Sequence, residues 1–215
     1  MTSNKTAALA GVAFVVLVLI ADFVGGSMPK TSDSAAKIAS FFAHHHKALL
    51  VGAVLSGASS PLFVWLFASL ARTMRRLGSP ALAVLVFGFV VAGTATATAA
   101  DAVAGAVVHA ATQGDSQFAK SGYDLSAFFA EKSFWFAAFA ALAVWLGSKS
   151  MARWYGWLTL AAGVLFVLGG IGVRQHGFLA TFGAATFIAF IALLVWVLAT
   201  SFVLWQTPDV EEAPN

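Results

Sequence analysis

The stretch AALAGVAFVVLVLI, residues 7–20, contains no charged side chain and no proline. Apolar runs of similar character, each about 20 residues long, recur along the 215-residue chain between short polar segments. Hydrophobic residues make up 60% of the sequence and charged residues only 10%, whereas about a quarter of a soluble domain is charged. Runs this long and continuous favour helices over barrel strands. The sequence therefore predicts an all-α polytopic transmembrane helical bundle.

Six membrane-spanning helices are predicted from these runs. They form one transmembrane domain over residues 1–207, and a short acidic cytoplasmic tail follows over residues 208–215. The predicted spans cover residues 6–24, 47–71, 80–109, 126–147, 154–173 and 179–205. Lys5 ahead of the first run also resembles the start of a signal peptide, but the tripeptide ADF at 21–23 makes a poor cleavage site. An uncleaved first span is therefore favoured.

The positions of the basic residues predict how the bundle is oriented. Two short connections are basic: ARTMRRLG contains Arg72, Arg75 and Arg76, and GSKSMARW contains Lys149 and Arg153. Such connections stay on the cytoplasmic side, so both termini are predicted to be cytoplasmic in a multi-pass protein of the cell membrane. The three arginines fall on one helix face, which suits anionic lipid headgroups. The simpler interpretation, which we favour, is that they only determine topology.

Composition also limits the partners and the chemistry. The absence of cysteine excludes disulfide, iron–sulfur and thiolate chemistry, and no basic run is long enough to indicate nucleic-acid binding. The predicted partners are the lipid bilayer and, through Gly- and Ala-rich faces, other membrane subunits or further copies of the chain.

A weak internal repeat is present. The segment ADFVGG…IASFFAHHHK is echoed by ADAVAG…LSAFFAEKSF, which places Asp22 and Asp101 about one helical hairpin apart. The echo indicates three stacked helical hairpins that run in parallel, without the inverted repeats of many secondary transporters.

Ionisable residues within the predicted spans converge toward the outer side. Asp22 and Asp101 lie near the outer ends of two spans, Glu131 and Lys132 lie early in the fourth span, and Arg174 ends the fifth. Charged side chains are costly in lipid and indicate a functional site.

One face of the third span carries small and polar residues at helical spacing: Thr94, Thr98, Asp101 and Gly105, continued by His109. Such a stripe either lines a water-filled path or packs closely against another helix. Packing is favoured, although Asp101 is hard to explain by packing. The candidates for a solute or ion path are therefore Asp22, Thr94, Thr98, Asp101, Glu131 and Arg174.

All five histidines lie on the predicted outer side: His44, His45 and His46, then His109, then His176. Three imidazoles and a carboxylate would suit zinc or copper. The pattern is not specific, because adjacent histidines on a helix point about 100° apart. Haem is not favoured, since a haem bundle pairs histidines within facing helices. An interfacial cap of ion pairs is the favoured interpretation, and a pH-responsive cap stays open.

The first outer connection contains TSDSAAKIASFFAH, which predicts an amphipathic helix on the membrane surface. Ser32 or Asp33 is predicted to cap its start. The residues predicted to rest on the membrane are Ala36, Ile38, Phe41 and Phe42.

Four segments resemble a group of actinobacterial six-helix membrane proteins of unknown function: IASFFAHHHKALLVGAVL, LFVWLFASLARTMRRLG, ARWYGWLTLAAGVL and LLVWVLATSFVLW. The resemblance covers residues 5–205. In that group the helix before the second span commonly ends with Phe-Phe, two variable residues, His and a basic residue; Phe41-Phe42, followed by His45, His46 and Lys47, fit approximately. The resemblance implies a membrane protein without assigned activity and carries no catalytic residues across.

No nucleophile–base pair, phosphate loop or cofactor fingerprint is evident, so no enzyme is predicted. Three functions stay open. The favoured one is a protein that binds or moves a small solute or ion through a polar region in the outer half of the bundle. The others are a structural or accessory subunit of a larger membrane complex, and a membrane metalloprotein with a His-rich outer cap.

Overall fold

The computed structural model describes residues 3–171 and 183–208. This part of the chain forms seven α-helices and a 3₁₀ turn at Ser148–Ser150, and it contains no strand. The helices are α1 (Asn4–Gly25), α2 (Ala35–His44), α3 (His46–Arg76), α4 (Pro80–Thr112), α5 (Ser116–Gly147), α6 (Arg153–Gly170) and α7 (Ala184–Gln206). The predicted all-α class is therefore confirmed for the described residues.

Five helices, α1, α3, α4, α5 and α7, are long and apolar enough to cross a membrane, which indicates a membrane protein. α6 occupies the place of the predicted fifth span but is not among the five. Its first turns, RWYGW, contain polar and interfacial residues that lower its mean hydropathy. Arg174, His176, the junction between the last two predicted spans and residues 209–215 lie outside the described residues.

All helices except α2 pack in chain order around a closed ring. Each contacts the next, and α7 returns to contact α1. Buried hydrogen bonds join α6 to α7: Trp196 Nε1 donates to Thr159 Oγ1 at 3.2 Å, and the Tyr155 and Thr200 hydroxyls lie 2.9 Å apart. The two helices of each predicted hairpin, α1 with α3, α4 with α5 and α6 with α7, are therefore neighbours in the ring. The sequence repeat that would relate one hairpin to the next stays a prediction.

The start of α1 and the end of α7 meet at one end of the ring, which we call the termini end. Asn4 Nδ2 donates a hydrogen bond to the Thr207 carbonyl at 3.3 Å. Lys5 Nζ lies 6.0 Å from the centre of the Trp205 ring, a cation–π distance. The opposite end, which carries α2, is called the α2 end.

The α4–α5 connection is a tight turn and not the predicted loop. The third span was expected to end at residue 109 and the fourth to begin at residue 126, but α4 continues to Thr112 and α5 begins at Ser116. Gly114 has φ of 81°, a left-handed conformation that reverses the chain. Asp115 Oδ1 accepts a hydrogen bond from the Phe118 N–H at 3.0 Å and caps α5. Most of the predicted connection over residues 110–125 is therefore helical, because the polar first turns of α5 lower the local hydropathy, and the bounds of the two membrane spans stay a prediction.

The long α4–α5 hairpin projects beyond what a bilayer requires. α4 has 33 residues and α5 has 32. At 1.5 Å per residue each is about 50 Å long, whereas the hydrocarbon core is about 30 Å thick. The excess length at the α2 end provides a surface on which another element can pack.

α2 packs on this hairpin. Ile38 and Phe42 are 0% and 1% exposed, in a cluster with Val107 of α4 and Tyr123 of α5. The Phe42 and Tyr123 rings meet edge to face with centroids 5.3 Å apart. The predicted membrane-surface position of Ile38 and Phe42 is therefore wrong, because these side chains cover the projecting hairpin; Ala36 is exposed and Phe41 half-buried.

The cap of α2 also differs from the prediction. Ser34, not Ser32 or Asp33, accepts the hydrogen bond from the Lys37 N–H. Asp33 instead pairs with the Lys37 ammonium at 2.9 Å and accepts a hydrogen bond from the Lys30 N–H. These two interactions hold the pKa of the Asp33 carboxyl below its usual range.

The Tyr123→Phe variant is expected to loosen the segment before α2. The buried Tyr123 hydroxyl donates a hydrogen bond to the Pro29 carbonyl at 2.6 Å, and the variant leaves that carbonyl without this donor. A buried hydrogen bond of this kind contributes about 1 kcal/mol. We expect faster trypsin cleavage after Lys30 in detergent micelles. Ser121→Ala, an exposed position on the same helix, is the control, and equal cleavage rates in both variants would contradict the role of the Tyr123 bond.

Candidate functional site

A cavity of about 380 Å³ lies between α1, α3, α4, α5 and α7. Its size is typical of small-molecule sites. Most of its wall is apolar, with seven aromatic side chains: Phe14, Phe63, Phe89, Phe134, Phe187, Phe190 and Trp196. Hydroxyl groups line the rest, from Ser56, Ser59, Ser60, Thr94, Ser133 and Thr186. Asp22 and Asp101 are the charged residues among the described lining.

A second cavity of about 220 Å³ continues toward the α2 end. Its lining includes Met28, from the segment after α1, and Phe42 of α2. Both cavities share Asp22, Ser56 and Asp101. The two volumes therefore adjoin at the two carboxylates, and together they extend from the middle of the ring to the cap formed by α2.

A hydrogen bond between helices holds Asp101 at this junction. Ser56 Oγ of α3 donates to Asp101 Oδ2 of α4 at 2.7 Å. Hydrogen bonds to a carboxylate are stronger than those between neutral groups, which offsets part of the cost of removing Asp101 from water. The bond also fixes which oxygen of Asp101 remains for another partner.

The polar stripe of α4 only partly matches the prediction. Thr94 and Asp101 line the central cavity and Gly105 lines the outer one, as expected for one helix face. Thr98 is exposed and its hydroxyl bonds to the Thr94 carbonyl at 2.9 Å, so the structure does not bring it to the cavities. An α-helix has 3.6 residues per turn, so a residue four positions after Thr94 is rotated away from the cavity-lining face. Ala97, three positions after Thr94, lines the central cavity in place of Thr98.

Glu131 and Lys132 lie behind the cavity wall. Glu131 is 1% exposed, and the hydroxyl of Thr186, a lining residue, lies 3.5 Å from Glu131 Oε1. Lys132 Nζ and Trp135 Nε1 both donate to the Gly170 carbonyl, at 3.0 and 2.9 Å. This carbonyl lies at the C-terminal end of α6, so Lys132 secures α6 to α5 and does not line the predicted path.

The histidine triplet forms the joint between α2 and α3. The Nδ1 atom of each ring lies within hydrogen-bonding distance of a backbone carbonyl of the preceding turn, at 2.7 Å for His44, 2.9 Å for His45 and 2.8 Å for His46. His45 also stacks on Phe41 with centroids 4.4 Å apart. These bonds engage one nitrogen of each ring in local structure.

The described residues bring no three His, Asp or Glu side chains together as metal ligands. His109 is exposed on α4, and His176 lies outside the described residues. The three-histidine zinc or copper site that involves His109 and His176 stays a prediction.

The arginines at the end of α3 differ from one another in their surroundings. Arg72 is half-buried, and its Nη2 atom donates to Ser69 Oγ at 2.8 Å. Arg75 and Arg76 are exposed at the termini end. Arg75 and Arg76 are therefore more exposed than Arg72, and headgroup contact by all three stays a prediction.

Ser56 is among the lining residues that the sequence did not assign to the path, and it is the one that bonds to Asp101. Gly52, Ser56, Ser59 and Phe63 follow each other at intervals of four, three and four residues, and all line the cavities. This is the same helical spacing as the α4 stripe, and the two stripes face each other through the Ser56–Asp101 bond. The spacing was the available signal.

Comparisons of the chain with family models, with curated proteins and with solved structures found no match. The resemblance to the actinobacterial group therefore stays a prediction. The geometry of the site is what indicates a function.

Proposed function

We propose that this chain is a six-span protein of the cell membrane that binds or moves a small solute through the two adjoining cavities. The observation that carries the proposal is the junction itself: exposed Asp22 and half-buried Asp101, which is held by Ser56 from a neighbouring helix, both line a mainly apolar volume between the helices. Acidic side chains at such a position are costly unless they contact a ligand, a proton or water.

The contact between the chain ends supports the sixth crossing. Asn4 and Thr207 lie side by side, so α1 starts and α7 ends on the same face of the bundle. A chain that returns to its starting face crosses the membrane an even number of times. Five helices qualify by length and composition, and α6 supplies the crossing that makes the number even.

The distribution of positive charge supports cytoplasmic termini. Exposed Arg75 and Arg76 end α3, and exposed Lys149 and Arg153 lie between α5 and α6. Both connections belong to the termini end, because Gly147 packs near Met74. Short basic connections favour the cytoplasmic side, which leaves α2 and the outer cavity facing outward.

The chain contains no cysteine, so an introduced thiol can be probed without background. In Thr94→Cys the thiol lines the central cavity, whereas in Val91→Cys it lies on the lipid-facing side of the same helix, where Val91 is 42% exposed. We expect a neutral, water-soluble methanethiosulfonate carrying a hydroxyethyl group, added to intact cells, to modify Thr94→Cys at least about tenfold faster, because thiols react as thiolates in water and not in lipid. Equal, slow modification at both positions would refute a hydrated path.

The accessory-subunit and metalloprotein alternatives stay predictions from the sequence. The solute-path proposal is preferred because the residues that face the cavities include Asp101, which helix packing alone does not explain.

A further inference from the structure

The charge of the cavity lining has one sign. Asp22 and Asp101 face both cavities, and the described residues that line them include no Lys, Arg or His. A cleft lined by one sign of charge, with low-dielectric walls, concentrates ions of the opposite sign. Negative solutes would meet two carboxylates without a basic partner, so the lining favours a cation.

The walls of the central cavity are unsuited to a bare metal ion. Ca²⁺ takes six to eight oxygen ligands and Mg²⁺ keeps several waters, whereas the described side chains shared by both cavities supply oxygens only from Asp22, Asp101 and Ser56. Aromatic faces attract organic cations through their π electrons and also bury apolar groups. Phe63, Phe89 and Phe190, each half-buried, line a volume of about 380 Å³ and supply such rings.

We propose that the two cavities take an organic monocation: an ammonium group at the junction of Asp22 and Asp101, and an apolar body against the aromatic wall of the central cavity. This inference rests on the proposed solute path and specifies the chemical class of the solute. The Ser56 hydroxyl orients Asp101 toward the charged group, so Ser56 is a positioning residue.

The test uses the Thr94→Cys protein and two reagents of similar size and opposite charge, trimethylammonioethyl and sulfonatoethyl methanethiosulfonate. Each rate is divided by the rate with a free thiol in solution. We expect the cationic reagent to react roughly tenfold faster or more, and the preference to disappear when Asp22→Asn and Asp101→Asn are added. A preference for the anionic reagent, or none, would overturn the inference.

Protection experiments test the apolar body. Benzyltrimethylammonium is expected to slow the modification of Thr94→Cys by the neutral reagent, whereas tetramethylammonium at the same concentration protects several-fold less because it has no ring to contact the aromatic wall. Phenylacetate, which has the ring but the opposite charge, is expected to give no protection. Equal protection by the two cations would refute the apolar subsite, and protection by phenylacetate would refute the cation assignment.

The two proposals fail in different ways. If the neutral reagent does not reach Thr94→Cys, the hydrated path itself is wrong, and the cation inference falls with it. If the neutral reagent reaches the thiol without charge selectivity, the path stands and only the solute class is wrong. The neutral rate also checks that the Asp-to-Asn variants remain folded.

Discussion

Asp101→Asn is expected to weaken the binding of benzyltrimethylammonium to the detergent-purified protein at least about 30-fold, as measured by isothermal titration calorimetry. The change removes one of the two carboxylates from the junction but keeps an oxygen that can accept the Ser56 hydrogen bond at 2.7 Å. Loss of one partner of a close charge pair costs about 2 kcal/mol or more, which corresponds to about 30-fold in affinity. Because the Ser56 bond survives, the thermal midpoint should stay close to that of the wild type.

Asp124→Asn is the matched control for Asp101→Asn. Asp124 is also on a helix near the α2 end, but it is exposed and pairs with Lys120 on the surface of α5. Surface ion pairs contribute little, so this variant should bind as the wild type does. If Asp101→Asn binds as tightly as Asp124→Asn, Asp101 does not contact the solute and serves only to hold α3 against α4.

Hydropathy predicted the long apolar helices, but it missed the helical segment at the start of α5, which packs against α2 and contains many polar residues. The starts of α3 and α4 were placed within one residue, because each coincides with the start of a long apolar run. The first turns of α5 were missed. Ala119, Tyr123 and Ala127 recur there at a spacing of four and are buried, but the polar residues between them hid the pattern.

The candidate site was predicted in part for the same reason. Asp22 and Asp101 stand out in any apolar run, and the structure brings both to one junction. Which helix faces which cannot be read from a single run, so Ser56 was not assigned to the path, and Thr98 was assigned to it although it does not line the two cavities. The histidine triplet was interpreted as part of an interfacial cap, with metal ligands as an alternative, but its Nδ1 atoms lie against local backbone carbonyls, and spacing alone does not reveal such bonds.

Gly11→Val is expected to destabilise the bundle by about 3 kcal/mol or more, and Gly11→Ala by about 1–3 kcal/mol, because both overfill a closed interface. Gly11 lies where α1 meets α3 and α7. A Cβ atom there would overlap Ser201 Oγ of α7 and lie 2.9 Å from Leu66 Cδ2 of α3. Both neighbours are buried, Leu66 at 0% and Ser201 at 3% exposure, so neither can move aside freely. The α1–α7 contact closes the ring, and its loss should open the whole bundle.

Two further variants make the Gly11 prediction specific, with unfolding followed in mixed detergent micelles. Gly88 lies in α4, and a Cβ atom added there would meet no other atom within 4 Å. Gly88→Ala should therefore be neutral or stabilising by up to about 1 kcal/mol through its higher helix propensity. Ser201→Ala removes the overlapping oxygen, so it should recover part of the stability lost in Gly11→Ala, a coupling that independent sites would not show. Equal effects of Gly11→Ala and Gly88→Ala, or strict additivity with Ser201→Ala, would mean that α1 does not lie against α7 at this residue.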